Sequence, residues 1–202
     1  VVEYILGNSL APADEELLKA RFVNFKRAAS VAESLALVQK NVPLFKDLTT
    51  LQMREFMLES EVVTPAPGAV IFRKDDYTNS FFSVVDGEVL IEILAEDGTT
   101  KSLTLRRGQF FGEMGLLSGR RRTSTVRAGA DCVLIETPRR SMLKLVASIE
   151  SVRRQIDETS LRRAVRTQIA PFVSESDMDE IVQRAVIKLS LIHISEPTRR
   201  RG

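Results

Sequence analysis

The residues of this chain that could do chemistry together fall in one segment, Phe110-Phe111-Gly112-Glu113-Met114-Gly115-Leu116-Leu117-Ser118-Gly119-Arg120-Arg121-Arg122-Thr123-Ser124-Thr125. Gly112 and Gly115 bracket the carboxylate of Glu113, and Met114, Leu116 and Leu117 give a one-turn apolar face that can pin the segment to a core. A short helix starting here presents free main-chain N–H groups, which attract an anion. Arg122 can add a charge-assisted, bidentate contact to a phosphate, and Thr123 offers a hydroxyl donor. Glu113 belongs beside a hydroxyl rather than beside the anion, because like charges repel. An acceptor and an anion clamp in one cleft suit a ribose hydroxyl next to a singly charged cyclic phosphate. The plain alternative is an exposed ion pair in a glycine-rich loop, contributing about 0–1 kcal/mol. The neighbouring Arg120 and Arg121 are read as a solvated basic loop.

These residues must be positioned by what flanks them, and the flanks read as strands. Val70-Ile71-Phe72 is a short strand after the Pro67-Gly68 turn. Ser80–Val85 and Val89–Leu94 are strands joined by Asp86-Gly87, a tight hairpin signal. Asp97-Gly98 turns into a strand with Leu103 and Leu105 in alternation, and Arg107-Gly108 turns again. Thr123–Val126 and Cys132–Ile135 are strands after the glycine-rich segment, closed by Pro138. Short strands at close spacing predict a jelly-roll-like antiparallel β-barrel, a β-roll. Helices flank it. Residues 1–40 carry helical spacing through Leu17, Leu18, Phe22, Phe25, Leu35 and Val38, and Thr49-Thr50 precede a short helix over Leu51–Met57. Beyond Pro138, one helix carries Met142, Leu143, Leu145 and Val146, and a longer one runs from Ile149 to about Gln168. The expected class is α+β, a β-roll between N-terminal and C-terminal helices.

Composition narrows the function classes. With 29 Lys and Arg against 27 Asp and Glu, the net charge of +2 points to neither nucleic acid nor a membrane surface. The single cysteine, Cys132, excludes an internal disulfide and argues against a cysteine-based metal site. It is read as a strand-core residue. A reducing, cytoplasmic setting fits, and no run of about 18 apolar residues suggests a membrane span. No cofactor or metal is expected. The one histidine, His193, lies in residues 190–202, which break with the preceding pattern and are read as a non-native tail. Without another histidine, a nucleophile–base pair or metal-ligand spacing, an enzyme is not expected in these residues.

The segment from Phe110 to Thr125 resembles the phosphate-binding cassette of the cyclic-nucleotide-binding domain family. The family includes regulatory subunits of cyclic-AMP-dependent kinase, catabolite-activator-type transcription factors and cyclic-nucleotide-gated channels. Its pattern is Phe-Gly-Glu, a small residue, an aliphatic pair, then arginine followed by a small residue. The likeness extends from about Val42 to Arg166 and takes in Pro67-Gly68, the Phe82–Gly87 strand and turn, and the Cys132–Leu134 strand. The resemblance implies that Glu113 binds the ribose 2′-hydroxyl and Arg122 the cyclic phosphate. It implies main-chain donors at Gly112 and Met114, and a role for Thr123 that admits guanine as well as adenine. It further implies a barrel wall of Val89, Leu103 and Leu105 beside the base. A purine lid follows from the C-terminal helix, with Arg163 at the family's position and Leu161 next to it. An ion pair of Arg163 with Asp157 or Glu158 is the competing reading.

The resulting expectation is a regulatory module that binds a 3′,5′-cyclic nucleotide, cAMP favoured with cGMP left open, and signals through its C-terminal helices to an effector domain in cis or trans. The domain plan is a helical segment over 1–40, the binding domain over 41–168, a helical segment over 169–189 that could begin a second repeat, and the tail over 190–202. A non-sensing interaction module of the same fold is the alternative. A transcription factor needs a DNA-reading helix-turn-helix after the long helix. Residues 166–189 are short, interrupted by Pro171 and not notably basic, so no nucleic-acid partner is expected.

Overall fold

The computed structural model describes residues 11–23, 30–77, 79–94, 100–118, 121–166, 174 and 176–185. They fall into two compact units, Val1–Ile149 and Glu150–Gly202.

The first unit opens with helices. α1, Pro12–Arg21, starts on proline with Asp14 and Glu15 in its first turn and carries Lys19 and Arg21 in its last, so both ends suit the helix dipole. The chain leaves helix at Phe22 and re-enters at Ser30, whose Oγ accepts from Glu33 N and caps α2, Val31–Asn41. The helical pattern expected over 1–40 is therefore divided, and residues 1–10 and 24–29 lie outside those described. A 3-10 turn at Pro43–Phe45 leads to α3, Thr50–Leu58, where Thr49 and Gln52 form a capping box.

Among the described residues, eight strands follow. β1 (Glu61–Val63), β8 (Val133–Pro138), β3 (Ser80–Asp86) and β6 (Phe110–Phe111) form one sheet in that order. β2 (Val70–Phe72), β7 (Thr125–Ala128), β4 (Glu88–Leu94) and β5 (Thr100–Arg106) form the other. Every pairing is antiparallel. This is the expected β-roll within an α+β chain. Three details differ from the sequence reading. β1 is a strand of three residues, too short to show alternation. β7 begins at Thr125 rather than Thr123 because Arg122 is committed to the loop before β3, and β8 runs on from Val133 to Pro138. The β3–β4 turn needs Gly87, which has φ +67 and where a Cβ would lie 2.4 Å from the carbonyl oxygens of Ala130 and Asp131.

The core between the sheets is apolar. Phe82 and Phe111 stack with centroids 5.0 Å apart, and Phe72 sits 5.8 Å from each. Val84, Val126 and Leu134 complete the packing, and Cys132 is buried with them as a strand-region residue. β3 is buried on both faces. Its Phe82 and Val84 face the core, while Phe81, Ser83 and Val85 lie on the side where α2 and α5, Arg139–Ser148, pack. The second unit holds α6, Glu150–Ala164, and a helix over 176–185. Val165, Met178 and Val182 form its small cluster with Leu161 against them, and Arg162 pairs with Asp179. The suggested repeat at Ile169–Phe172 and the tail at 190–202 lie outside the described residues. Among those described, no helix is long and apolar enough to cross a membrane, and no cluster of side chains could hold a metal ion.

Candidate functional site

The short strand β6 pairs with β3 and delivers the chain to Gly112. Gly112 has φ +87, and a Cβ there would lie 2.5 Å from Arg122 Nη1 and 3.3 Å from the Ser80 carbonyl oxygen. Both the left-handed backbone and the guanidinium resting on it require glycine. Glu113 then opens α4, Glu113–Ser118, and is 2% exposed.

Arg122 is 5% exposed, an unusual state for a guanidinium. Its Nη2 donates to the Ser80 carbonyl at 2.7 Å and its Nη1 to the Gly112 carbonyl at 3.4 Å. The guanidinium carbon lies 4.0 Å from the Phe72 ring centroid and 5.7 Å from that of Phe82, a cation–π arrangement. Its Nε is buried without an acceptor among the described residues. Burial pulls the Arg122 pKa down, opposed by the negative charges of Glu136, Asp76 and Glu113. Glu113 and Arg122, nine residues apart in the chain, are therefore brought near each other where the carbonyl of Gly112, preceding Glu113, receives the arginine.

The other expected site residues are distributed around this pair. Met114 is half-buried on α4, and Thr123 is exposed just before β7. Val89 and Leu105 face each other across β4 and β5 and are buried in the core. Leu103 is on the same face as Leu105, two residues along, yet 44% exposed, so the inner face of this hairpin runs from closed core to open surface. Arg163 and Leu161 belong to α6 in the second unit, where Leu161 packs on that unit's own cluster.

A cleft of about 270 Å³ opens beside Arg122, with Ile71, Phe72 and Leu134 as apolar lining and Asp76, Ser80 and Glu136 as polar lining. Glu113, Val89, Leu103 and Leu105 do not line it. Glu136 stands opposite Phe82 in register, which puts its carboxylate on the core side of the sheet.

Sequence reasoning missed several partners. The carbonyls of Ser80 and Gly112 carry no residue-type signature. Phe72 was legible as a strand residue, but its role as a platform depends on the packing of two sheets. Glu136 could have been suspected from alternation, since it shares parity with Leu134. Arg121 needs correction: it is not merely solvated, but stacks over Tyr77 at 4.1 Å and donates to Tyr77 OH at 3.0 Å and to the Asp75 carbonyl at 2.8 Å.

Comparison with known proteins bears on this geometry. Residues 62–148 match the family model of the cyclic nucleotide-binding domain. The rod photoreceptor cyclic nucleotide-gated channel subunit alpha of Gallus gallus is 29% identical over 133 residues, covering 62% of this chain and 20% of the channel. The cyclic nucleotide-gated channel alpha-3 of Homo sapiens is 26% identical over 132 residues, covering 62% of this chain and 19% of the channel. The chain thus spans about a fifth of the length of these relatives. Among solved structures, the regulatory domain of Toxoplasma gondii PKA, crystallised with cAMP, aligns with a TM-score of 0.53 at 17% identity over 86% of this chain and 59% of that one. The sensor domain of the transcriptional regulator DNR from Pseudomonas aeruginosa aligns with a TM-score of 0.55 at 20% identity, over 70% of this chain and 95% of that one. At such identities the structures share a fold. Together with the family match and the roll of two antiparallel sheets, they place residues 62–148 of this chain in the cyclic nucleotide-binding domain family.

Proposed function

We propose that this chain is a regulatory module that binds a 3′,5′-cyclic nucleotide, cAMP in preference with cGMP as the alternative, and acts by binding rather than by catalysis. The observation that carries the reading is Arg122: a guanidinium 5% exposed, held by two neutral carbonyls and with its Nε unmet, beside the buried carboxylate of Glu113. Burying an ionised group costs several kcal/mol on the order of the loss of its hydration, and neutral acceptors recover it incompletely. A phosphodiester recovers more, because hydrogen bonds between opposite charges are roughly twice as strong as neutral ones.

In this reading Arg122 holds the cyclic phosphate and Glu113 accepts from the ribose 2′-hydroxyl. The main-chain N–H groups of Gly112 and Met114 and the hydroxyl of Thr123 add donors. Val89, Leu103 and Leu105 form the wall beside the base, and the exposed Leu103 supplies the part of that wall a base can cover. The lid residue that the resemblance implies is Arg163; Leu161 is taken up by the apolar cluster of its own unit. The functional domain spans 41–168 and passes the bound state through its C-terminal helices to an effector in cis or trans, within the cytoplasm. The conformational shift is limited to the difference in ligand affinity between the two states.

The test is titration of the 202-residue chain with fluorescent cAMP and cGMP. Saturable binding is expected, weakened in Arg122→Met and Glu113→Gln. A chain that shows no thermal shift with millimolar amounts of either nucleotide is an interaction module with the same fold, and the reading falls.

A further inference from the structure

Two consecutive arginines leave the chain before β7 in opposite directions. Arg122 goes inward over Phe72, and Arg121 goes outward over Tyr77. The loop between β2 and β3 grips both. Arg122 N donates to the Asp76 carbonyl at 2.9 Å, and Asp75 N donates to the Arg122 carbonyl at 2.9 Å. The loop is itself fixed: Asp76 Oδ2 accepts from Arg73 N at 2.7 Å, and Thr125 Oγ1 accepts from Lys74 N at 3.1 Å. Arg121 then closes over the outside, its Nη1 on the Asp75 carbonyl and its Nη2 on Tyr77 OH, with its guanidinium 4.1 Å from the ring centroid.

The arrangement is more than the sum of surface contacts. Tyr77 is 75% exposed, so its ring gains little by sitting there except through Arg121. The Asp75 backbone is held at φ +70, a left-handed conformation uncommon outside glycine. Its carbonyl accepts from Arg121 while its N–H donates to Arg122, so one peptide neighbourhood ties the two arginines together. The two side chains leave neighbouring backbone positions toward opposite sides, over Tyr77 and over Phe72. Fixing Arg121 outward therefore fixes the direction in which Arg122 enters the roll.

We propose that Arg121 and Tyr77 are a positioning pair for the ligand clamp: by locking the chain to the 73–77 loop, with Tyr77 at the rim of the cleft and Arg121 outside it, they hold the Arg122 guanidinium ready over Phe72. The proposal rests on the reading of Arg122 as the group that binds the cyclic phosphate. A pre-set guanidinium spares the ligand the entropy of ordering it, so the pair raises affinity from a distance. The competing explanation is that Arg121 acts only by its charge, drawing an anion toward the site.

The experiment is equilibrium binding of fluorescent cAMP to the full chain, with thermal unfolding recorded for each variant. Arg121→Ala and Tyr77→Leu are each expected to weaken binding by about tenfold, and the double variant by no more than the stronger single one, because both remove one device. Tyr77→Phe, which keeps the ring, loses less. Arg121→Lys keeps the charge but not the planar two-point contact, and is expected to behave like Arg121→Ala. The readout that a merely structural role would not move is the background dependence. In Arg122→Lys, whose binding is weaker but measurable, adding Arg121→Ala leaves affinity unchanged while still moving the unfolding midpoint as it does in the unaltered chain. Full affinity in Arg121→Lys, or an equal loss from Arg121→Ala in both backgrounds, overturns the positioning role. If Arg122→Lys itself binds as tightly as the unaltered chain, the clamp assignment fails first and this proposal with it. If Arg122→Lys is weakened while Arg121→Ala is not, only the positioning role fails.

Discussion

The interior of the roll has two ends that are built on different physics. At the closed end, Val84, Val89, Leu105 and Val126 pack without a polar atom to satisfy, and Phe82 and Leu134 reach from that packing to the wall of the cleft beside Arg122. At the other end, Glu113 and Arg122 are as deeply buried as the aromatics but are charged. Phe72 serves both, its ring packing on Phe82 and Phe111 and also lying under the Arg122 guanidinium. An all-apolar packing at that second position would avoid the desolvation of two ionised groups. The first end thus stabilises the frame, and the second keeps charge where a charged ligand can use it.

The comparison breaks most sharply if the closed end is emptied. Phe82→Ala is expected to cost about 3–5 kcal/mol, the usual range for truncating a buried phenylalanine, measured by denaturant unfolding. Arg122→Met is expected to do the reverse. It keeps a long apolar stem over Phe72 and leaves the ligand-free stability unchanged or raised, while cyclic-nucleotide affinity falls about 100-fold, or ~2.7 kcal/mol, the worth of a charged hydrogen bond. A stability loss as large as that of Phe82→Ala would erase the distinction between the two ends. Gly112→Ala lies between them. Its left-handed backbone and the displaced guanidinium are expected to cost about 1–3 kcal/mol of stability and to weaken binding too. An unaltered affinity would show that the Arg122 guanidinium need not rest on Gly112.

Smaller effects test the frame alone. Thr49→Ala removes the capping box of α3 and is expected to cost about 1 kcal/mol with no change in affinity. The smallest is a slope. Burial pushes the Cys132 thiol up from its ordinary 9.0 to about 11, outweighing a main-chain hydrogen bond from Gly129 that lowers it. The folded chain therefore keeps a proton that the unfolded chain releases. Stability is complete below pH 9 and declines as pH rises toward about 11. Unfolding measured from pH 8 to pH 11 should show this decline in the unaltered chain and a flatter profile in Cys132→Ala.

Much of the frame is legible in the residues. Asp86-Gly87 marks the hairpin between β3 and β4, Thr49 and Gln52 mark the start of α3, and the Phe-Gly-Glu run marks the segment where charge is buried. Leu103 and Leu105 announce one face of β5 by alternation. Other parts were not readable. The helical pattern of residues 1–40 gave no sign of the break after Arg21, since apolar spacing continues across it and the Ser30 cap is one serine among many. Arg120, Arg121 and Arg122 look alike in sequence, and nothing local says that the second would stack on Tyr77 and the third enter the core.

The sequence by itself determined the class of fold and the two side chains, Glu113 and Arg122, on which a ligand reading depends, because turn residues, alternation and a short motif are local properties of the chain. Tertiary structure alone decided what each arginine does. The Ser80 carbonyl that receives Arg122 and the Asp75–Tyr77 loop that receives Arg121 lie 42 or more positions away, and a main-chain carbonyl becomes a partner only when the fold carries it there.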